Sequence, residues 1–163
     1  MPVTAQTLID RANILDTLHE YALAVDERNW EIWDRIFTPD ATLDFSKSIW
    51  NASNTPGWGD NTPAQVREIL ITESDPTRIT GQHLLFNSLF EITGDVARVR
   101  SEFVAHTLSR TETPEVAVKV STGGWYQDRL HRTGDRWLLH HRTSLIHWQV
   151  RDDVPLPPDR ISR

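Results

Sequence analysis

The stretch Thr80-Gly81-Gln82-His83-Leu84-Leu85-Phe86-Asn87 decides how this chain is read. From His83 to Thr93 the residues favour strand, and Gly94-Asp95 supplies a turn. Val96 to Arg110 returns as a second strand, Thr111 to Glu115 is a loop, and Val116 to Arg132 is a third strand. Thr133-Gly134-Asp135 turns again, and Trp137 to Val150 completes an antiparallel meander. Gly123-Gly124 inside a strand predicts a bulge or bend. The tail Val154-Pro155-Leu156-Pro157-Pro158 reads as extended chain packed on a surface or a neighbouring subunit. His83 sits at the mouth of a segment that otherwise reads as core sheet.

The N-terminal part has a different period. Leu8, Ala12, Leu15, Leu18, Ala22 and Val25 recur at three- and four-residue spacing, which predicts a helix from Thr7 to Val25. Thr7 is placed as its cap, with Asp10, Arg11, Asp16 and Glu20 turned outward. Asp26 breaks the pattern. It falls on the apolar stripe and at the helix C-terminus, where the dipole disfavours a negative charge. A carboxylate placed against both rules needs a partner. Asn29 to Phe37 reads as a short second helix stopped by Pro39, and Ala41 to Phe45 as a strand. Residues 46–61 read as loop. Thr62-Pro63-Ala64-Gln65 then opens a third helix, with a cap, proline at the first helical position and Gln at the third. Helices followed by long antiparallel strands predict an α+β fold in one domain, residues 1–163. The helices pack on one side of a cone-shaped, curved antiparallel or mixed sheet around an internal pocket.

Composition narrows the function classes. The formal charge is −6, and no basic run is long enough to track phosphates, so nucleic acid is not an expected partner. No apolar run approaches the ~20 residues that span a bilayer. The N-terminus lacks a basic-then-apolar signal pattern, so the expected location is cytoplasmic. Without cysteine there is no disulfide, thiol nucleophile or thiolate metal site. Seven tryptophans are many for this length. Trp50, Trp58, Trp125 and Trp148 fall in loops or at sheet edges and are expected to line an apolar cavity.

Asp26 and His83 are the leading chemical pair. A carboxylate bonded to one imidazole nitrogen fixes the tautomer and stabilises the cation formed when the other nitrogen takes a proton. The plain alternative is a satisfied core histidine beside a loop-capping aspartate. His106, in register with Arg100, Glu102 and Val104, is either a second acid–base group facing the same pocket or an exposed edge residue. His140 and His141 are adjacent on a strand and point to opposite faces, and no His-Glu-x-x-His element exists, so no metal is expected. No Gly-x-Ser-x-Gly elbow or phosphate loop occurs either. Arg132 and Arg142 are either anion partners in the pocket or solvated strand residues.

Val25-Asp26-Glu27-Arg28-Asn29-Trp30, Thr80-Gly81-Gln82-His83 and Gly123-Gly124-Trp125-Tyr126 together resemble the SnoaL-like branch of the nuclear-transport-factor-2-like superfamily. The likeness covers nearly the whole chain. Within that branch, the chain resembles scytalone dehydratase at Asp26 with Trp30, at Gln82-His83 and at His106. That resemblance implies that His83 abstracts a proton and that Asp26 and His106 form a supporting pair. The two tyrosines that hold a catalytic water there align with Val25 and Phe45, and the polar pair of the third strand is matched only loosely by Ser121 and Thr122. The hexachlorocyclohexane dehydrochlorinase resembles Val25-Asp26 and Gly123-Gly124-x-Tyr126, with a bare Asp–His dyad and an arginine near Arg132. A bacterial bile-acid dehydratase has a Tyr and Asp spaced like Tyr21 and Asp26.

The resemblance implies a cofactor-independent lyase, dehydratase-like, acting on a small cyclic or polyketide-derived substrate. Asp26, His83, His106 and Tyr21 are its expected acid–base groups, and Phe45, Trp50, Trp58, Trp125 and Arg142 its expected contacts with an apolar or aromatic substrate. An isomerase or cyclase would use the same base. A non-catalytic ligand-binding protein, or one like the small subunit of a ring-hydroxylating dioxygenase, is the alternative of another class. A homo-oligomer is expected, a trimer ahead of a dimer.

Overall fold

The computed structural model describes residues 4–46, 59–72 and 75–156. Trp50, Trp58, most of the 46–61 loop and Pro157-Pro158 lie outside them. Helix α1 spans Ala5–Glu27. It starts before the expected Thr7 cap, because the Thr4 hydroxyl accepts the Thr7 N–H at 3.1 Å. Its buried face carries Asp10, Ile14, Thr17, Leu18, Tyr21, Ala22 and Ala24, whereas Leu8 is 54% exposed. The apolar stripe read from sequence is therefore rotated, and Asp10 points in rather than out. Two satisfied polar groups explain the difference. Thr17 donates to the Trp137 carbonyl at 2.5 Å, and Asp10 accepts from Arg132 Nη2 at 2.8 Å and Trp137 Nε1 at 3.3 Å. Hydrogen-bonded in this way, polar side chains can occupy a buried helix face.

Asn29 caps α2, Trp30–Arg35, by accepting the Ile32 N–H. Pro39 does not simply follow a longer helix: it lies inside β1, Phe37–Asp44. This is an edge strand, parallel to the last strand, with a register irregularity between Phe37 and Thr42. An edge with a bulge is where a proline is tolerated in a sheet. Helix α3, Pro63–Thr72, begins as expected. Thr62 Oγ1 accepts the Gln65 N–H at 3.3 Å, and Gln65 Oε1 accepts the Thr62 N–H at 2.9 Å.

Four long strands follow: β2 Arg78–Thr93, β3 Val96–Arg110, β4 Val116–Thr133 and β5 Arg136–Pro155. The sheet order is β1-β5-β4-β3-β2, mixed, curved and unclosed, with the N-terminal helices packed against it. β2 begins at Arg78 rather than His83. The described part of the tail is extended, as expected, and belongs to the sheet: Pro155 continues β5 opposite Val116, and Leu156 donates to the Glu115 carbonyl. The expected bulge is present as a register shift between Gly123 and Gly124. A Cβ at Gly124 would overlap the Leu145 carbonyl, and one at Gly123 would overlap the Trp148 indole. Only glycine lets those neighbours come so close.

Ile14, Leu18, Trp33, Ile36, Leu43, Val99, Leu130, Trp137 and Leu139 form the core between the helices and the inner sheet face. Each fully buried Leu or Ile side chain contributes about 1.5–3 kcal/mol. Residues paired directly across antiparallel strands share a face. Leu84, Val104, Gly123 and Trp148 thus form one row on the outer face, and Gln82, His106, Ser121 and Val150 the next. Among the described residues, no helix is long and apolar enough to cross a membrane.

Candidate active site

A cavity of about 400 Å³ opens between α1, α3 and the inner face of β2–β5. Val25, Phe45, Val66, Ile69, Leu70, Phe103 and Ile146 make most of it apolar, and Tyr21, Thr107, Thr122, Tyr126 and Ser144 add hydroxyl-bearing side chains. His83 is the histidine in its wall. The end of α1 brings Asp26 against the start of β2. Asp26 Oδ1 lies 2.6 Å from His83 Nδ1, and Oδ2 accepts the His83 backbone N–H at 2.7 Å. Opposite an ionised carboxylate, Nδ1 carries the proton and donates it, leaving Nε2 as the basic nitrogen. Both side chains are mostly buried, at 14% exposure for Asp26 and 18% for His83. The partner demanded by a carboxylate at a helix C-terminus is therefore this imidazole.

The other expected groups separate into two sets. Tyr21 and Phe45 line the cavity. His106 does not. Its β3 neighbours Phe103, Ala105 and Thr107 look inward, and the alternation of a strand turns His106 outward, where Nδ1 meets Ser121 Oγ at 3.0 Å. It cannot share Asp26 with His83 from that face. Trp125 also faces outward, its ring tilted against His147 with centroids 3.8 Å apart and lying beneath Arg100.

Arg142 lies under the cavity rather than in its wall. It is 1% exposed and forms a two-point pair with Asp128, Nε to Oδ1 at 2.7 Å and Nη2 to Oδ2 at 2.8 Å. Its guanidinium lies 4.0 Å from each of the Tyr21 and Tyr126 ring centroids. Burial is the largest single influence and opposes its charge, but attraction to Asp128, the hydrogen bonds to it and the two phenols together hold the pKa above the ordinary value. Burial also raises the pKa of Tyr21 and Tyr126, so both phenols stay protonated at neutral pH. Arg132 likewise binds no pocket anion, since it pairs with Asp10 and Asp95.

His140 and His141 do part ways, His140 toward Thr38 and Asp40 and His141 toward Thr42 and Thr143. Among the described residues no group of three His, Cys, Asp or Glu side chains could hold a metal. A more open depression of about 600 Å³, lined in part by Leu89, Arg98, Arg100 and Arg129, shares no residue with the dyad's cavity.

Sequence reading gave no site role to Tyr126, Thr107, Arg78 or Arg28, although Tyr126 and Arg28 fall within the stretches that carry the resemblance. The signal for the first two was the inward parity of β3 and β4, which fixes Phe103, Thr107 and Tyr126 together once one of them is placed.

The model of the SnoaL-like domain matches residues 6–143. The chain belongs to the SnoaL-like domain family. An uncharacterized protein of Mycobacterium tuberculosis is 27% identical to this SnoaL-like protein over 140 residues, covering 83% of this chain and 84% of the relative. A solved structure from Kribbella flavida has a TM-score of 0.72 at 20% identity, covering 90% of this chain and 95% of that one. A candidate scytalone dehydratase from Novosphingobium aromaticivorans also has a TM-score of 0.72, at 17% identity and 91% of each chain. A hexachlorocyclohexane dehydrochlorinase reaches 0.66 at 16% identity, over 93% of this chain and 91% of that one. At these identities the solved structures establish the shared SnoaL-like fold.

Proposed function

We propose that this SnoaL-like protein is a cofactor-independent lyase that eliminates water from a small cyclic or polyketide-derived alcohol. The observation that carries the reading is the 2.6 Å contact between Asp26 and His83 at the wall of a mostly apolar cavity. His83 Nε2 removes a proton from a carbon next to a carbonyl. The C–H electrons become the new double bond as the C–O bond on the adjacent carbon breaks, and the departing hydroxyl takes the proton back from the His83 imidazolium and leaves as water. Asp26 keeps Nδ1 protonated and stabilises the imidazolium. Tyr21, held neutral by burial, donates a hydrogen bond to the departing oxygen. The apolar walls keep bulk water from the reacting carbon. Neighbours named as a scytalone dehydratase and a dehydrochlorinase support the choice of elimination.

The test is turnover of a panel of cyclic β-hydroxy ketones, read by product mass. Loss of the mass of water is expected, and His83→Ala should slow it by about 10²–10⁴-fold. A product of unchanged mass would replace elimination by isomerisation or cyclisation on the same base. Turnover unaffected by His83→Ala would remove the base from the account.

A further inference from the structure

Two arginines stand at one end of the cavity, and the elimination itself does not use them. Arg28 and Arg78 both line it, with Asp75 beside them. Arg78 opens β2, and its side chain folds back along the pocket face of the strand. A Cβ at Gly81 would overlap the Arg78 guanidinium, so the guanidinium occupies the space that a side chain at Gly81 would take. Gly81 and His83 are two apart on one strand and share a face. The charge therefore sits one side-chain repeat, about 7 Å, from the root of the base.

The guanidinium is under-bonded. Of the five N–H donors an arginine carries, one is used within the described residues, Nη2 to the Asp26 carbonyl at 3.3 Å. Nε is buried without a partner. Burial, then repulsion from Arg28, presses the Arg78 pKa below its ordinary value, while Asp26 only partly offsets them. The Asp26 carboxylate is already committed to His83 at both oxygens. Asp75 answers the charge of Arg28 in part, its own pKa held down first by Ser109 and Thr77 and also by Arg28.

Arg28 adds a second, independent sign. It caps α1 in the left-handed region at φ 55°, where glycine or asparagine is the usual choice. A backbone conformation that costs a non-glycine residue about 1 kcal/mol or more, kept at the rim of a cavity, points to a use for the side chain. Thr107, directly across from Gly81 on β3, lines the same end of the cavity.

We infer that the substrate carries a carboxylate, gripped by the Arg78 fork with Arg28 as the second positive charge, and that this anchor sets which carbon faces His83. The inference rests on the elimination reading for its chemistry, but it is tested by binding alone. The probes are benzoate and cyclohexanecarboxylate against benzamide and cyclohexanecarboxamide, titrated by calorimetry into wild type, Arg78→Gln, Gly81→Ala and His83→Ala, each checked for native circular dichroism.

Wild type should bind each acid at least about tenfold tighter than its amide, and less tightly as salt rises. Arg78→Gln should abolish that preference while leaving amide affinity alone. Gly81→Ala keeps the charge but displaces it, and should do the same. His83→Ala should retain the preference, so a pocket that selects acids yet performs no elimination would sink the reaction and leave the anchor standing. Equal affinity for acid and amide, no binding of either acid, or a preference that survives Arg78→Gln would overturn it.

Discussion

Asp26 grips His83 at two points, ring Nδ1 at 2.6 Å through one carboxylate oxygen and backbone N–H at 2.7 Å through the other. The second contact ties the end of α1 to the start of β2, so the geometry of the base depends on helix–sheet packing as well as on rotamers. Asp26→Asn should preserve the fold, yet its amide can donate to Nδ1 and leave the proton on Nε2. The expected loss in kcat is on the order of 10³–10⁴, with KM little changed. Steady-state kinetics on any substrate accepted by the wild type checks this.

The Asp128–Arg142 pair is fully buried beneath Tyr21 and Tyr126. Removing one partner leaves an uncompensated charge, so Asp128→Ala should cost about 3–5 kcal/mol in urea denaturation. Replacing both with apolar residues, Asp128→Leu with Arg142→Met, should recover most of that loss. A double variant as unstable as the single one would show that the pair itself, rather than the orphaned charge, holds the site.

Asp10 joins α1 to the sheet through Arg132 and Trp137. The Arg132 hydrogen bond, against a smaller cost of burial, holds its carboxyl below the usual carboxylate range. A depressed folded pKa stabilises above the unfolded value of about 3.9 and loses that contribution as pH falls toward the folded value. Asp10→Asn should therefore cost about 1–3 kcal/mol at pH 7, and the gap from wild type should close as pH drops below about 4. Denaturant midpoints for both proteins across that range measure it.

The outer sheet face leaves Leu84, Phe86, Trp148 and Val150 each 39–48% exposed around adjoining rows of the sheet. A homotrimer formed through this face is the expected state, consistent with an apolar patch on one side of a sheet. Sedimentation equilibrium should give three chains, and Phe86→Glu should shift the protein to monomer without loss of circular dichroism. A wild-type monomer at micromolar concentration would refute it.

Period carried most of the fold. The 2-residue alternation and glycine turns located β3 at its observed ends, Val96 and Arg110, and the Thr62–Gln65 cap placed the start of α3. Where polar groups are satisfied inside, pattern misled: Asp10 and Thr17 rotated the buried face of α1, and Pro39 lies within an edge strand. In the site, the helix phase of Asp26 was enough to demand a partner, and His83 was the residue-level choice. His106 was misplaced because alternation gives parity but not which parity faces the helices. Arg78 was illegible because its role depends on a side chain folding back over Gly81, a tertiary fact that local spacing does not encode.

The most direct test of the central claim isolates proton abstraction from everything that follows it. A cyclic ketone without a leaving group is incubated with enzyme in deuterium oxide, and exchange at the carbon next to the carbonyl is followed by proton NMR. If His83 is the base, wild type exchanges that position well above the buffer rate and His83→Gln is slower by about 10²–10⁴-fold. Equal rates for the two proteins, or no exchange above buffer with wild type, would contradict it.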